Sequence, residues 1–243
     1  MFDPFKDFET AGYLRNTHQV KDAELVKRIE HDLFLANLPD ALAFLASRSQ
    51  ITYGDFLEVH RLLFSAFYPW AGCDPSVTAP NIAVSKADTL FAHPKDAHRA
   101  VMEGLRLGQL PQRLQQTPGL VMGLFAYGHP FLDGNGRTML VVHAGLTHRA
   151  GFSINWSKTA KVDYLSALSD EIQRPAQGIL DAYLLRFKES RVEPETWGKE
   201  ILSIKGLDGL NADNRVDGEF SSPSVAKKYQ AFDQGRGYQA FDQ

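Results

Sequence analysis

The stretch LVMGLFAYGHPFLDGNGRTMLVVHAGLTHRAG, residues 120–151, joins two apolar runs through a short segment of quite different character. Leu120–Tyr127 has a helical pattern, punctuated by Gly128 and Pro130. A second helical pattern starts near Gly136 and ends at Gly151, a residue suited to the left-handed position just past a helix. Residues 129–136 are therefore read as a loop that feeds a helix N-terminus. Unpaired backbone N–H groups point out of such an end, and the helix dipole makes it positive. Gly134 and Gly136 let the chain curl so that successive amides converge on an anion. Arg137 adds a planar cationic fork matched to phosphate oxygens. Asp133 would repel a bare phosphate but suits a Mg²⁺ ion bridging to one. His129, which titrates near neutrality, is the candidate base for an attacking hydroxyl, and Phe131 the apolar anchor of the loop. Each feature alone has a plain explanation: a helix-end cap, an Asp-Gly turn, a surface arginine. Together, within nine residues, they point to a magnesium-bound polyphosphate.

Helical spacing recurs outward from this segment. Phe56, Val59, Leu63 and Phe67 form one apolar stripe, and Ala97, Val101 and Leu105 another. Val162, Leu165, Leu168 and Ile172 form a third, with Ser157 and Thr159 as candidate N-caps. Ile179, Leu180, Tyr183, Leu184 and Phe187 make a fourth. Leu25, Val26, Ile29 and Leu33 predict a helix near the start, and Asp40 is placed to cap a separate short one, DALAFLASR. The strand signal is confined to TAPNIAVSKADTLFA, residues 78–92. The expected fold class is mainly α, with residues 1–190 as one helical domain interrupted by a single extended excursion. Residues 203–228 are polar and aperiodic, so 191–243 is expected to be a partly irregular extension. The hexapeptide YQAFDQ occurs at 229–234 and again at 238–243, two copies being too few for a solenoid.

The composition of the 243 residues, 44% hydrophobic and 23% charged, allows an ordinary packed core. A net charge of −3 gives no basic field for wrapping nucleic acid, so no nucleic-acid partner is expected. The single cysteine, Cys73, rules out an intramolecular disulfide and any Cys-based zinc pattern. The opening MFDPFKDFET lacks the pattern of a secretory signal, and no run approaches the ~18 apolar residues of a membrane span. Cytoplasmic localisation is expected, with no membrane association; export as an effector needs no cleavable signal. GxxxxGK[ST] is absent, and without an HExxH motif His143 and His148 have no metalloprotease context.

HPFLDGNGRT, residues 129–138, resembles the signature of the Fic (filamentation induced by cAMP) domain family, HxFx(D/E)GNGRxxR, through Arg137. YPWAG at 68–72 and NIAVSKADTLFA at 81–92 resemble that family's approach to its β-hairpin flap and the flap itself; GYLRN at 12–16 and DYLSAL at 163–168 are similar to further family runs. The resemblance covers about residues 1–190. It implies a Fic/Doc-type helical domain that transfers a nucleoside monophosphate to a protein hydroxyl, with ATP as donor and Mg²⁺ as cofactor. On it, His129 deprotonates a target Ser, Thr or Tyr and Asp133 holds the metal. Gly134, Asn135, Gly136 and Arg137 bind phosphates, and Tyr164 lines the base pocket. Ile82, Ala83, Val84, Ser85 and Lys86 hold the target protein by strand pairing.

Two positions depart from the pattern. Leu140 stands where relatives carry a second arginine, which opens the donor to alternatives such as UTP or a phosphocholine-bearing nucleotide, or leaves a nucleotide-binding module with little turnover. After WAG comes CDPSV, with Pro75 where many relatives place an arginine. Thr196–Glu200 has the spacing of the family's inhibitory motif, (S/T)xxxE(G/N), but Ile201 follows where Gly or Asn belongs, so it reads as a chance match. The resemblance then implies either a separate antitoxin-like protein as inhibitory partner or no restraint of this kind.

Overall fold

The computed structural model describes residues 2–87, 89–204 and 214–236; the second YQAFDQ copy lies outside them. The chain opens with α1 (Phe8–Ala11), a 3₁₀ turn (Tyr13–Arg15), α2 (Ala23–Ser47), α3 (Tyr53–Phe64) and α4 (Pro75–Thr78). A hairpin of β1 (Ile82–Lys86) and β2 (Thr89–Leu90) follows, then α5 (Pro94–Gly108), α6 (Pro111–Gln116), α7 (Pro118–Gly128) and α8 (Asn135–Arg149). The remainder is β3 (Phe152–Ile154), a 3₁₀ turn (Trp156–Lys158), α9 (Lys161–Gln173), α10 (Ile179–Leu185), β4 (Lys188–Ser190), α11 (Pro194–Ser203), β5 (Asn214–Glu219) and α12 (Pro223–Gly235). The fold is mainly α, as the sequence indicated.

Local chemistry sets the helix starts. Asp22 caps α2 by accepting from the amides of Glu24 and Leu25, and Thr52 with Asp55 forms a reciprocal capping box on α3. Proline opens α4, α5, α6, α7, α11 and α12, where its missing N–H costs nothing. The centre of the molecule is α7, whose residues are nearly all buried and which packs against α5, α8, α9 and α10. Its start is held by Asp181 of α10, which accepts from the amides of Gly119 (2.6 Å) and Leu120 (3.0 Å). Gly119 permits this approach: a Cβ there would lie 2.3 Å from the Asp181 nitrogen. The end of α7 thereby has a fixed position, and His129 is the next residue.

Four local expectations are corrected. Asp40 caps no separate helix, because α2 runs through Pro39 on one unbroken buried stripe of Phe34, Leu38, Ala41 and Leu45. That stripe begins at Val26 and includes Glu30, while Leu25 is exposed. On α9, Val162 and Leu165 are exposed and Leu168 and Ile172 carry the burial. Its N-cap is Ala160 without a side-chain bond, since Ser157 lies within the preceding 3₁₀ turn and Thr159 hydrogen-bonds the Trp156 carbonyl.

The sheet pattern extends what periodicity revealed. The flap hairpin is present, and β1 also pairs antiparallel with β5, giving the order β2-β1-β5; β3 and β4 form a second, two-stranded sheet. The aperiodic run after residue 203 thus supplies a strand and a helix. The strand NRVDGE has one β-branched residue and draws its conformation from the partner it pairs with.

Candidate active site

The loop between α7 and α8 turns on two left-handed residues. His129 ends α7 with φ 40° and ψ 53°, a conformation costing a non-glycine residue about 1 kcal/mol. Gly134 precedes α8 with φ 79°, and a Cβ there would meet the Phe64 ring at 2.7 Å. Between them Asn135 acts as a clamp: its Oδ1 accepts from the Phe131 amide at 2.9 Å and its Nδ2 donates to the Phe131 carbonyl. Phe131 is buried and stacked on His60 at 3.6 Å. His60 in turn donates from Nε2 to the Asp133 carbonyl at 3.0 Å and accepts at Nδ1 from the Gly72 amide at 2.9 Å. This imidazole joins the segment 68–72 to the loop. Burial holds its pKa down to about 3, so it remains neutral.

Behind the loop lies a buried charge cluster fed by α2. Asp133 Oδ2 accepts from Lys27, which also bonds Glu30 at 2.8 Å. Arg137 Nη2 bonds the same Glu30 oxygen at 2.8 Å and stands 3.8 Å from Asp133. Tyr68 donates its hydroxyl to Glu30, and the Arg137 guanidinium covers the Phe64 ring at 4.6 Å. Two anions meet two cations, which offsets the cost of removing four charges from water. For Asp133, burial pushes the pKa up, but Lys27 and Arg137 prevail and hold it below the usual carboxylate value. The Arg137 fork, expected from the sequence to bind phosphate, is tied to a carboxylate from α2, and Asp133, the expected metal ligand, to an ammonium.

The loop is open in two places. Gly136 is exposed with no atom within 4 Å of where a Cβ would sit, and α8 has no side-chain N-cap on its first-turn amides. His129 faces the other opening, a cleft lined by Ile82, Val84, Phe91, Pro130 and Leu132. Its ring stacks on Phe91 at 3.6 Å, and its buried Nε2 has no hydrogen-bond partner. Burial, aided by nearby Lys86, lowers its pKa to about 3. The ring is a neutral acceptor at ordinary pH.

Residues 50–146, containing this loop, match the Fic/DOC family model. They form a Fic/DOC-family domain. The chain is similar to protein adenylyltransferase VbhT of Bartonella schoenbuchensis at 28% identity over 182 residues, 68% of this chain and 35% of that protein. The chain therefore spans about a third of that relative's length. Among solved structures, the BepC effector protein of Bartonella tribocorum with bound AMPPNP superposes with a TM-score of 0.61 at 18% identity, covering 76% of this chain and 96% of that one. A Bartonella quintana Fic domain with bound ADP gives 0.59 at 17%, covering 76% and 94%. At these identities the likeness establishes the fold.

Within the Fic domain the structure brings His129, Phe131, Asp133, Asn135, Gly136 and Arg137 together, with the flap residues Ile82 and Val84 beside them. Tyr164 packs its ring on Trp156 (5.3 Å) and Tyr183 (6.3 Å). Trp156 in turn lies against His143, about 10 Å along α8 from Gly136 at 1.5 Å rise per residue. Leu140, at the second-arginine position, is buried in the core. Glu200 interacts with Glu189 and Lys158. Sequence reasoning missed Lys27, Glu30, His60 and Tyr68. The available signal was a pair of charges, Lys27 and Glu30, set into the apolar stripe of α2, where charges are rarely buried unless paired.

Proposed function

We propose that this chain is a protein adenylyltransferase that transfers AMP from ATP to a Ser, Thr or Tyr hydroxyl of a target protein. The observation that carries it is the neutral, unbonded His129 Nε2, held on the loop that opens onto the uncapped start of α8. In the reaction the hydroxyl oxygen attacks the α-phosphorus and forms a new P–O bond. The bond to the β-phosphate oxygen breaks, pyrophosphate leaves, and His129 takes the hydroxyl proton. The amides at Gly136 and the dipole of α8 receive phosphate oxygens. Arg137 joins them by exchanging Glu30 for phosphate, while Asn135 serves by fixing the loop.

Magnesium suits one carboxylate plus phosphates and water, the donor set that Asp133 and a bound triphosphate provide. Asp133 would hold the ion once Lys27 yields Oδ2, and the ion would neutralise charge on the phosphates. The flap residues 82–86 would hold the target as an extended segment beside His129. With Leu140 at the second-arginine position, the glutamate of a separate antitoxin-like partner would find no cation there to pair with. Among the described residues no helix is long and apolar enough to cross a membrane. ATP as donor calls for a nucleotide-rich compartment, the cytoplasm of the producing or of a recipient cell.

Leu140 favours one second reading. Without a second arginine the donor's distal part meets no fixed cation there, which fits a different donor, such as UTP or a phosphocholine-bearing nucleotide. A lysate incubated with the protein and each nucleotide in turn, every one labelled on the group to be transferred, separates the two. Label from α-labelled ATP alone supports adenylyl transfer; label from another donor with none from ATP overturns it.

A further inference from the structure

β1 has two edges, and both are filled. β2 covers one over only two pairs, Ser85 with Leu90 and Lys86 with Thr89. β5 covers the other along its whole length, from Ile82 opposite Glu219 to Lys86 opposite Asn214. A bulge between Ala83 and Val84 sets Asp217 apart from the ladder. Asp217 uses this freedom to accept from Ser85 Oγ at 3.0 Å and from Lys228 at 2.9 Å. Tyr229 of α12 donates to the Val84 carbonyl at 2.9 Å, and the Phe220 amide to the Asn81 carbonyl at 2.8 Å. Further along, Asp233 accepts from the Tyr127 hydroxyl, and Arg236 caps the Ile172 carbonyl while lying over the Tyr127 ring at 3.4 Å. The segment 214–236 is thus built onto the flap by backbone pairing and by particular side chains.

A strand on this edge lies against β1, whose Ile82 and Val84 line the cleft of His129. β5 reads Asn214-Arg215-Val216-Asp217-Gly218-Glu219 and holds no Ser, Thr or Tyr; hydroxyls resume at Ser221, past the paired run. The occupant therefore offers the base nothing to deprotonate.

We propose that residues 214–219 are a built-in pseudo-substrate: a hydroxyl-free strand that fills the flap's docking edge and must be displaced by the target, an extended segment pairing antiparallel with β1. The proposal rests on the reading that targets dock on this edge. Because β5 is tethered, it competes at an effective concentration of about the millimolar range, so a micromolar target meets mostly closed flaps.

The test uses the full chain in two forms. Cys73→Ser with Ser85→Cys and Arg215→Cys places a disulfide across the paired positions, locking β5 when oxidised and releasing it when reduced. Arg215→Pro with Val216→Pro removes two consecutive donors, one of which faces β1 because neighbouring N–H groups in a strand point opposite ways. Two readouts are taken: binding of a fluorescent NRVDGEF peptide, and labelling of lysate proteins from α-labelled ATP. The double-proline form should bind the peptide at least about tenfold more tightly than the natural chain and label faster by a similar factor. The oxidised lock should bind the peptide more weakly and label more slowly than the same variant reduced. Equal peptide binding by all forms, or labelling present at the same rate in all of them, overturns the proposal while leaving the transferase reading standing. Peptide binding that follows the strand, with no labelling from any nucleotide, upholds the strand's role and defeats the transferase reading.

Discussion

Glu30 is the side chain on which the charge balance of the site turns. It accepts from Lys27, Arg137 and Tyr68 at once, from a helix about a hundred positions earlier in the chain. Replacing it by Gln keeps the shape and removes the charge. Breaking a buried pair by taking one partner destabilises by about 3–5 kcal/mol, and here two cations lose it. The same change frees the Arg137 fork. Glu30→Gln should therefore lower the urea midpoint yet tighten ATP binding, by about tenfold if roughly 1.4 kcal/mol of Arg137's interaction passes to phosphate, as titration calorimetry would read. His129 yields a different expectation. With its pKa near 3, the base is already neutral from pH 5 to 8. A transfer-rate profile over that range should lack an inflection near 6.5, the ordinary histidine value. The loop's own residues were legible because they are adjacent in sequence and each carries recognisable chemistry. Glu30 and Lys27 were not, since nothing local says which buried charge will meet a loop a hundred residues away.

The α7–loop–α8 unit explains why two glycines two residues apart should respond oppositely to the same change. Gly134→Ala forces a left-handed backbone on a residue with a Cβ and drives that atom into Phe64. Strain and overpacking together should cost about 2–4 kcal/mol, visible as a lowered unfolding midpoint. Gly136 has helical geometry and empty space around it, so Gly136→Ala should leave stability unchanged or slightly raised. On the proposed function the methyl would stand in the path of the phosphate, and transfer should fall at least about tenfold, some 1.4 kcal/mol of transition-state binding. Helices were readable wherever apolar spacing was strict, as for α3 with Phe56, Val59 and Leu63. They were misplaced where surplus apolar residues blurred the face: α2 buries Val26, Glu30 and Phe34 rather than Leu25, and α9 leaves Val162 outside. β5 had no local signal, because its pairing with β1 makes it a strand.

Taken whole, the fold couples its stability to pH through histidines sealed in its interior. His60 and His143 are fully buried, with burial lowering their pKa values to about 3 and about 4. Unfolded, each would titrate near 6.5, so below that value the unfolded chain binds protons that the native one refuses. Stability should fall as pH drops from about 6.5 towards 4, by about 1.4 kcal/mol per unit for each histidine once the unfolded form is protonated. Asp133, held low, adds to the loss at lower pH, while Glu171 and Asp181, raised by burial, oppose it. Denaturant unfolding at pH 7, 6 and 5 would show the slope, and a flat profile would mean that these rings are charged in the native state. The arrangement of base, anion nest and flap bears on activity most directly through one comparison. The natural chain and its His129→Ala variant, matched for thermal midpoint, are incubated with a lysate and ATP labelled at either the α- or the γ-phosphate. Adenylyl transfer by His129 predicts α-label on hydroxyl side chains, no γ-label, and loss of the signal in the variant; γ-label on protein, or α-label undiminished without the imidazole, would contradict it.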